Sequence, residues 1–203
     1  MSDLNYTKVL LIGDSGVGKT AILQRFTEGT FTPGIQSTVG VEYKAFPVKT
    51  SRGMLKMNLW DTAGQEKFRS ISKGFFRNAH AGVLVFECGL RSSFSSLDRW
   101  LNDFHSLSLP NAVVYLVCNK IDLAENRVVT TEEAEAYAKM HSLHYIETSA
   151  KDGSGIDTLF LNLAQEIDDR KAAGELTLPS YKRTTVSDIN DMSQSNSESK
   201  CSC

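Results

Sequence analysis

Gly13-Asp14-Ser15-Gly16-Val17-Gly18-Lys19-Thr20 follows the apolar run Val9-Leu10-Leu11-Ile12 and precedes the helix-forming run Ala21-Ile22-Leu23-Gln24-Arg25-Phe26. Strand, glycine loop and helix in that order make a phosphate-binding unit of the pattern G-x-x-x-x-G-K-[ST]. Glycines 13, 16 and 18 let the backbone curl so that its N–H groups face one point, and the helix N-terminus adds the positive end of its dipole. Lys19 reaches terminal phosphates as a point charge, and Thr20 offers a hydroxyl to Mg²⁺. The loop therefore points to a nucleoside phosphate, without naming the base or the reaction.

Working outward, strand-like runs recur at 6–12, 41–48, 54–60, 81–88, 112–118 and 143–147. Helical stripes lie between most of them. Phe94, Leu97, Leu101 and Phe104 share one helical face, Thr130 with Glu133 forms a capping box opening a helix to about 140, and Ile156, Leu159, Phe160, Leu163 and Ile167 make a further stripe. Alternating strands and helices predict an α/β fold with a mostly parallel sheet covered on both faces. The second and third runs are joined by Lys49-Thr50-Ser51-Arg52-Gly53, too short for a helix, so they should form a hairpin with one antiparallel strand.

The chain has 203 residues, 41% of them apolar, and a net charge of −2. That suits one domain, expected over 1–172, with a Ser/Thr/Asn-rich tail over 173–203 expected to be disordered. The charge leaves no basic footprint for nucleic acid. Without a long apolar run near the N-terminus, no signal peptide or membrane span is expected. Cys88 and Cys118 end apolar runs and read as small buried hydrophobes, while the spacing of the four cysteines suits neither zinc nor a disulfide framework.

Two further motifs carry chemistry. Trp60-Asp61-Thr62-Ala63-Gly64-Gln65-Glu66 ends a strand one hairpin after the phosphate loop. Asp61 there can hold the metal through water, Gly64 offers a backbone N–H to a γ-phosphate, and Gln65 can orient an attacking water. Asn119-Lys120-Ile121-Asp122 follows the next-to-last strand. A carboxylate such as Asp122 accepts both the N1–H and the exocyclic amine of guanine, a pair adenine lacks. Thr148-Ser149-Ala150-Lys151 follows the last strand and offers backbone donors to the guanine O6.

With these motifs in order over residues 5–170, the chain resembles the Ras-superfamily small GTPases, and within them the Rab family. The Rab likeness rests on Ser37-Thr38-Val39-Gly40-Val41-Glu42-Tyr43, on residues 60–66 and on the terminal Cys201-Ser202-Cys203. The resemblance implies a P-loop NTPase of the Ras-like G-domain type, strand order 2-3-1-4-5-6, and a switch that binds GTP or GDP with Mg²⁺ and hydrolyses GTP. It implies nucleotide contacts from Ser15, Gly16, Val17, Gly18, Lys19, Thr20, Ala21, Phe31, Thr38, Gly64, Asn119, Lys120, Asp122, Ser149, Ala150 and Lys151. Thr38 would bind Mg²⁺ beside Thr20 and Asp61, and Lys19, Thr38 and Gln65 would carry catalysis. Phe31 would pack edge-on against guanine, Lys120 along its other face, and Asn119 would brace the loops.

The resemblance further implies a monomer that works with an exchange factor, a GTPase-activating protein, a GDP-dissociation inhibitor or prenylation escort, and effectors that read Tyr43, Trp60 and Phe75. Prenylation of Cys201 and Cys203 would place the protein on the cytoplasmic face of an intracellular membrane, with a cytosolic pool, and regulate vesicle traffic. Residues 171–203 hold four bases (Lys171, Lys182, Arg183, Lys200) and four acids (Glu175, Asp188, Asp191, Glu198), so attachment would depend on lipid rather than charge. Glu87-Cys88-Gly89 and Arg77-Asn78-Ala79 depart from common Rab patterns. Two other classes fit the loop alone: a phosphotransferase, against which Asp122 argues, and a non-hydrolysing GTP-binding scaffold, against which Gln65 argues.

Overall fold

A computed structural model describes residues 7–38, 40–65 and 73–177. Six strands form one sheet: β1 (Thr7–Ile12), β2 (Val41–Thr50), β3 (Gly53–Thr62), β4 (Ala81–Glu87), β5 (Val113–Asn119) and β6 (His144–Thr148). Their order is β2-β3-β1-β4-β5-β6, and only the β2–β3 pair is antiparallel, as the short polar link requires. Both strands run further than their apolar residues suggest. Thr50 pairs with Gly53, which leaves a two-residue turn at Ser51-Arg52.

The sheet is buried on both faces because its central strands are apolar throughout. Val9 and Leu11 of β1 enter one core, with Val83 and Val85 of β4 and Val117 of β5. Leu10 and Ile12 enter the other, with Leu84, Phe86 and Leu116. Successive side chains on a strand alternate faces, so one continuous apolar run feeds both layers. Helices α1 (Lys19–Glu28) and α5 (Ile156–Ala172) cover the first face, through Ile22, Leu23, Leu159, Phe160 and Leu163. The second face is covered by α3 (Leu97–His105) and α4 (Thr131–Met140), through Trp100, Phe104, Ala134 and Ala138. Thr130 caps α4 by accepting the Glu133 N–H at 3.2 Å.

The stripe from Phe94 to Phe104 is not one helix. A short α2 (Arg91–Ser95) precedes α3, and the chain breaks at Ser96 (φ −90°, ψ −2°). Serine hydroxyls compete for the backbone here: Ser93 donates to the Leu90 carbonyl and Ser96 to the Ser93 carbonyl. All four apolar residues still pack on the second core. Cys88 and Cys118 are buried in that core with free thiols. Beyond α5, Gly174 (φ 77°) turns the chain and Leu176, 4% exposed, returns to the first core, so packing continues past residue 172.

Candidate functional site

Because all parallel strands point the same way, the loops after β1, β3, β5 and β6 gather at one end of the sheet. This is where α/β sheets bind ligands. The phosphate loop leaves β1 through Gly13 (φ 139°), bends at Gly16 (φ 81°) and enters α1 at Gly18 (φ 99°). A Cβ on Gly13 would stand 2.2 Å from the Val85 carbonyl oxygen, and one on Gly18 2.3 Å from Asn119 Nδ2. Glycine is therefore required at both for contact as well as conformation. Lys19 is 6% exposed, and its ammonium donates to the carbonyls of Gly13 (2.9 Å) and Asp14 (2.8 Å). Burial pulls its pKa down to about 8, against the carboxylates of Asp61 and Asp14.

A cavity of about 290 Å³ opens over this loop. Ser15, Gly16, Gly18, Lys19, Thr20 and Ala21 form its floor, residues 34–38 with Phe31 and Thr32 one wall, and Gly64 and Lys120 complete it. Gly64 rests directly on the loop: a Cβ there would lie 2.4 Å from both Asp14 C and Ser15 N. Ser15 Oγ and Ser37 Oγ, 3.1 Å apart, join the floor to the wall.

At one end three oxygens converge. Thr20 Oγ1 donates to Asp61 Oδ2 at 2.5 Å, Thr38 Oγ1 donates to the same oxygen at 3.0 Å, and the two hydroxyls are 2.8 Å apart. Oxygen ligands of an octahedral Mg²⁺ stand about 3 Å from one another, so this donor set matches that hard cation in chemistry and spacing. Asp61 is fully buried and its Oδ1 has no hydrogen-bond partner among the described residues. Burial pushes its carboxyl pKa up, opposed by the Thr20 hydrogen bond, Lys19 and the Thr38 hydrogen bond. A buried carboxylate with one orphaned oxygen is what a cation and its water would complete.

The other end is braced by Asn119. Its amide donates to the Val17 carbonyl at 2.9 Å, while its oxygen accepts from Thr148 Oγ1 at 3.1 Å and the Ala150 N–H at 3.4 Å. One side chain thus ties the phosphate loop to the loop after β6. Asp122 Oδ1 accepts from Ser149 Oγ at 2.7 Å, and Lys151 Nζ stands 3.7 Å from Asp122 Oδ2.

A family model described as "Ras family" matches residues 8–169. The Ras-related protein Rab-30 of Homo sapiens is 41% identical over 165 residues, 81% of each chain, and the Ras-related protein RIC1 of Oryza sativa subsp. japonica is 40% identical over 177 residues, 87% of this chain and 88% of the relative. The chain belongs to the Ras family. The relatives make it a Rab-type small GTPase with the Ras-like G-domain fold, one that binds GTP and GDP with Mg²⁺ and hydrolyses GTP.

The site of this Ras-family GTPase gathers most of the residues expected from its sequence, though not all at the cavity. Val17, Asn119, Asp122, Ser149, Ala150 and Lys151 are not among the lining residues and contact one another instead. Gln65 is half-buried beside Gly64, outside the lining. Tyr43, Trp60 and Phe75 form a chain of rings, with centroids 5.0 and 5.5 Å apart, and Tyr43 is 49% exposed. Val39, Glu66, Cys201 and Cys203 fall outside the described residues.

Two contributors were not legible in the sequence. Asp14 directs its carboxylate to the start of α3 and the residue before it, accepting from Ser96 Oγ (2.6 Å), Trp100 Nε1 (2.8 Å) and Arg99 Nη2 (3.3 Å). From α1, Arg25 donates to the carbonyls of Ala150 (2.7 Å), Gly29 (2.9 Å) and Lys151. An arginine on a helix or an x position inside a loop pattern carries no signal of such a partner.

Proposed function

We propose that this GTPase is a membrane-trafficking switch that recruits effectors in its GTP state. The observation that carries the reading is the oxygen triangle of Thr20, Thr38 and Asp61. It joins the phosphate loop, the cavity wall and the end of β3, three segments that part or close together according to what stands at the γ-phosphate position.

In this reading Lys19 and the loop N–H groups hold the β- and γ-phosphates. Thr20, Thr38 and Asp61 would hold Mg²⁺, which would supply positive charge against the phosphate oxygens. Gly64 N–H contacts the γ-phosphate and Gln65 orients the attacking water, whose oxygen displaces GDP from the γ-phosphorus. Phe31 and Lys120 flank the base, Asp122 reads the guanine edge, and the loop at Ser149, Ala150 and Lys151 serves O6. Loss of the γ-phosphate removes the reason for Thr38 and Gly64 to stay closed. Effectors read that change through Tyr43, Trp60 and Phe75. An activating protein lends an arginine that stabilises charge in the transition state, an exchange factor opens the site, and a GDP-dissociation inhibitor or escort carries the prenylated form. Lipids on Cys201 and Cys203 hold the chain to the cytoplasmic face of an intracellular membrane. No helix among the described residues is long and apolar enough to cross one.

The first test is to release and identify the nucleotide that copurifies with the protein. GDP supports guanine selection and turnover together. GTP means binding without hydrolysis and removes Gln65 from its role, and an adenine nucleotide overturns the reading of Asp122. For the anchor, Cys201→Ser with Cys203→Ser should move the protein to the soluble fraction of cells; continued pelleting with membranes assigns attachment to a protein partner instead.

A further inference from the structure

Glu87-Cys88-Gly89, where the chain departs from common Rab sequence, lies directly beneath the Asn119–Asp122 loop. The Cys88 N–H donates to the Asn119 carbonyl at 3.1 Å, and the Cys88 thiol donates to the Lys120 carbonyl at 3.2 Å. Glu87 ends β4 opposite Asn119 of β5, and its N–H donates to Ser93 Oγ at 3.1 Å. Its backbone is thereby fixed from two sides. Its carboxylate receives the Lys120 ammonium at 2.6 Å.

Lys120 begins from a left-handed backbone (φ 66°) that projects its side chain back over the phosphate loop. Its Cε lies 3.9 Å from where a Cβ on Gly18 would stand, and the residue lines the cavity. The stem is thus held at both ends, by an unusual backbone conformation and by Glu87. Both side chains of the ion pair are partly exposed (32% and 19%), a setting in which such pairs add little to fold stability. What the pair does supply is order. A lysine stem free in solution would have to be immobilised each time a base slid against it, and here that loss of freedom has already occurred on folding.

We propose that Glu87 is a positioning residue for nucleotide binding: it holds the Lys120 stem in place as a preformed wall of the base slot. This rests on the reading of Lys120 as that wall. Because the wall touches no phosphate, Glu87 acts equally on GDP and GTP.

The experiment measures GDP and GTP dissociation from the full chain in saturating Mg²⁺ for Glu87→Gln, Lys120→Ala and the double variant. Glu87→Gln is expected to speed release of both nucleotides by the same factor, about three- to tenfold, the equivalent of re-ordering one long side chain on each binding event. Lys120→Ala speeds release further, and Glu87→Gln adds nothing in the Lys120→Ala background. The ratio of Glu87→Gln to wild-type rates shrinks towards one in 1 M salt, where charges are screened within about 3 Å. If Lys120→Ala speeds release and Glu87→Gln does not, or if the two effects multiply in the double variant, the positioning role is overturned. If Lys120→Ala itself leaves release unchanged, the underlying reading of the base slot fails.

Discussion

Removing the Asp14 carboxylate separates the scaffold of the phosphate loop from its chemistry. Asp14→Ala deletes the acceptor of three donors, Ser96 and, on α3, Arg99 and Trp100. The three losses are unequal. The Ser96 hydroxyl already lies 3.1 Å from the Ser93 carbonyl and can turn fully to it. Arg99, 44% exposed and 3.3 Å away, returns to water at little cost. The indole N–H of Trp100 has neither escape, because Trp100 is fully buried. Leaving one buried donor unsatisfied costs about 1–3 kcal/mol, and the other two losses add little to it. For a domain of this size, that lowers the melting temperature by about 2–12 °C.

The assay is thermal unfolding with GDP and Mg²⁺ held at fixed saturating concentration, since bound nucleotide itself shifts the transition. Asp14→Asn discriminates among causes. Its carbonyl oxygen can still accept from Trp100, so it should lose less than half of what Asp14→Ala loses. Equal losses for the two variants, or a shift under about 1 °C for Asp14→Ala, would refute the assignment of the cost to the Trp100 N–H.

Gly64→Ala sets a Cβ 2.4 Å from phosphate-loop backbone, which cannot yield as a side chain would, so the Gly64 segment must lift. Displacement by about 1 Å should slow single-turnover GTP hydrolysis roughly 10²-fold, and a rate within twofold of wild type would show that the contact is not needed. Asp122→Asn keeps an acceptor for Ser149 while losing the charge proposed to pair with two guanine hydrogens. Competition binding should move preference from GTP towards XTP by about 10²-fold or more, and unaltered base preference contradicts the role. His80, 4% exposed, accepts the Lys8 N–H on Nδ1 at 3.2 Å, and burial, with Lys171 and Lys8 nearby, pulls its pKa down to about 4. The unfolded chain binds this proton near pH 6.5 and the folded one only near 4, so stability is lost as pH falls between those values. The loss is roughly 2–3 kcal/mol from pH 7 to 4.5. Denaturant titrations of wild type and His80→Gln should diverge by that amount, and parallel pH profiles would refute it.

The sheet was legible because its strands are short apolar runs punctuated by loops whose lengths permit only one kind of connection. The polar link read over residues 49–53, a two-residue turn in the structure, excludes a crossover, and every other link leaves room for one. What escaped was set by partners far along the chain. The break at Ser96 is invisible in an apolar stripe that continues across it, because it depends on serine hydroxyls choosing backbone acceptors. The burial of Leu176 depends on Gly174 turning the chain back, in a stretch whose composition reads as tail.

The site divides in the same way, for a physical reason. Groups that meet the nucleotide must be of particular types at particular spacings, since phosphate, Mg²⁺ and guanine each accept few partners. Gly13–Thr20, Asp61–Gln65 and Asn119–Asp122 are therefore recognisable as contiguous words. The residues that hold these words in position are under no such constraint. Asp14 reaches donors 82 to 86 residues away, Arg25 reaches carbonyls 125 and 126 away, and Glu87 reaches an ammonium 33 away. Any donor and acceptor at those points in space would serve, so neither identity nor spacing announces them. It follows that substitutions in the motif words should alter which ligand binds or what becomes of it. Substitutions at Asp14, Arg25 and Glu87 should alter how firmly the same ligand is held, and the dissociation rates of Glu87→Gln and Lys120→Ala measure that distinction directly.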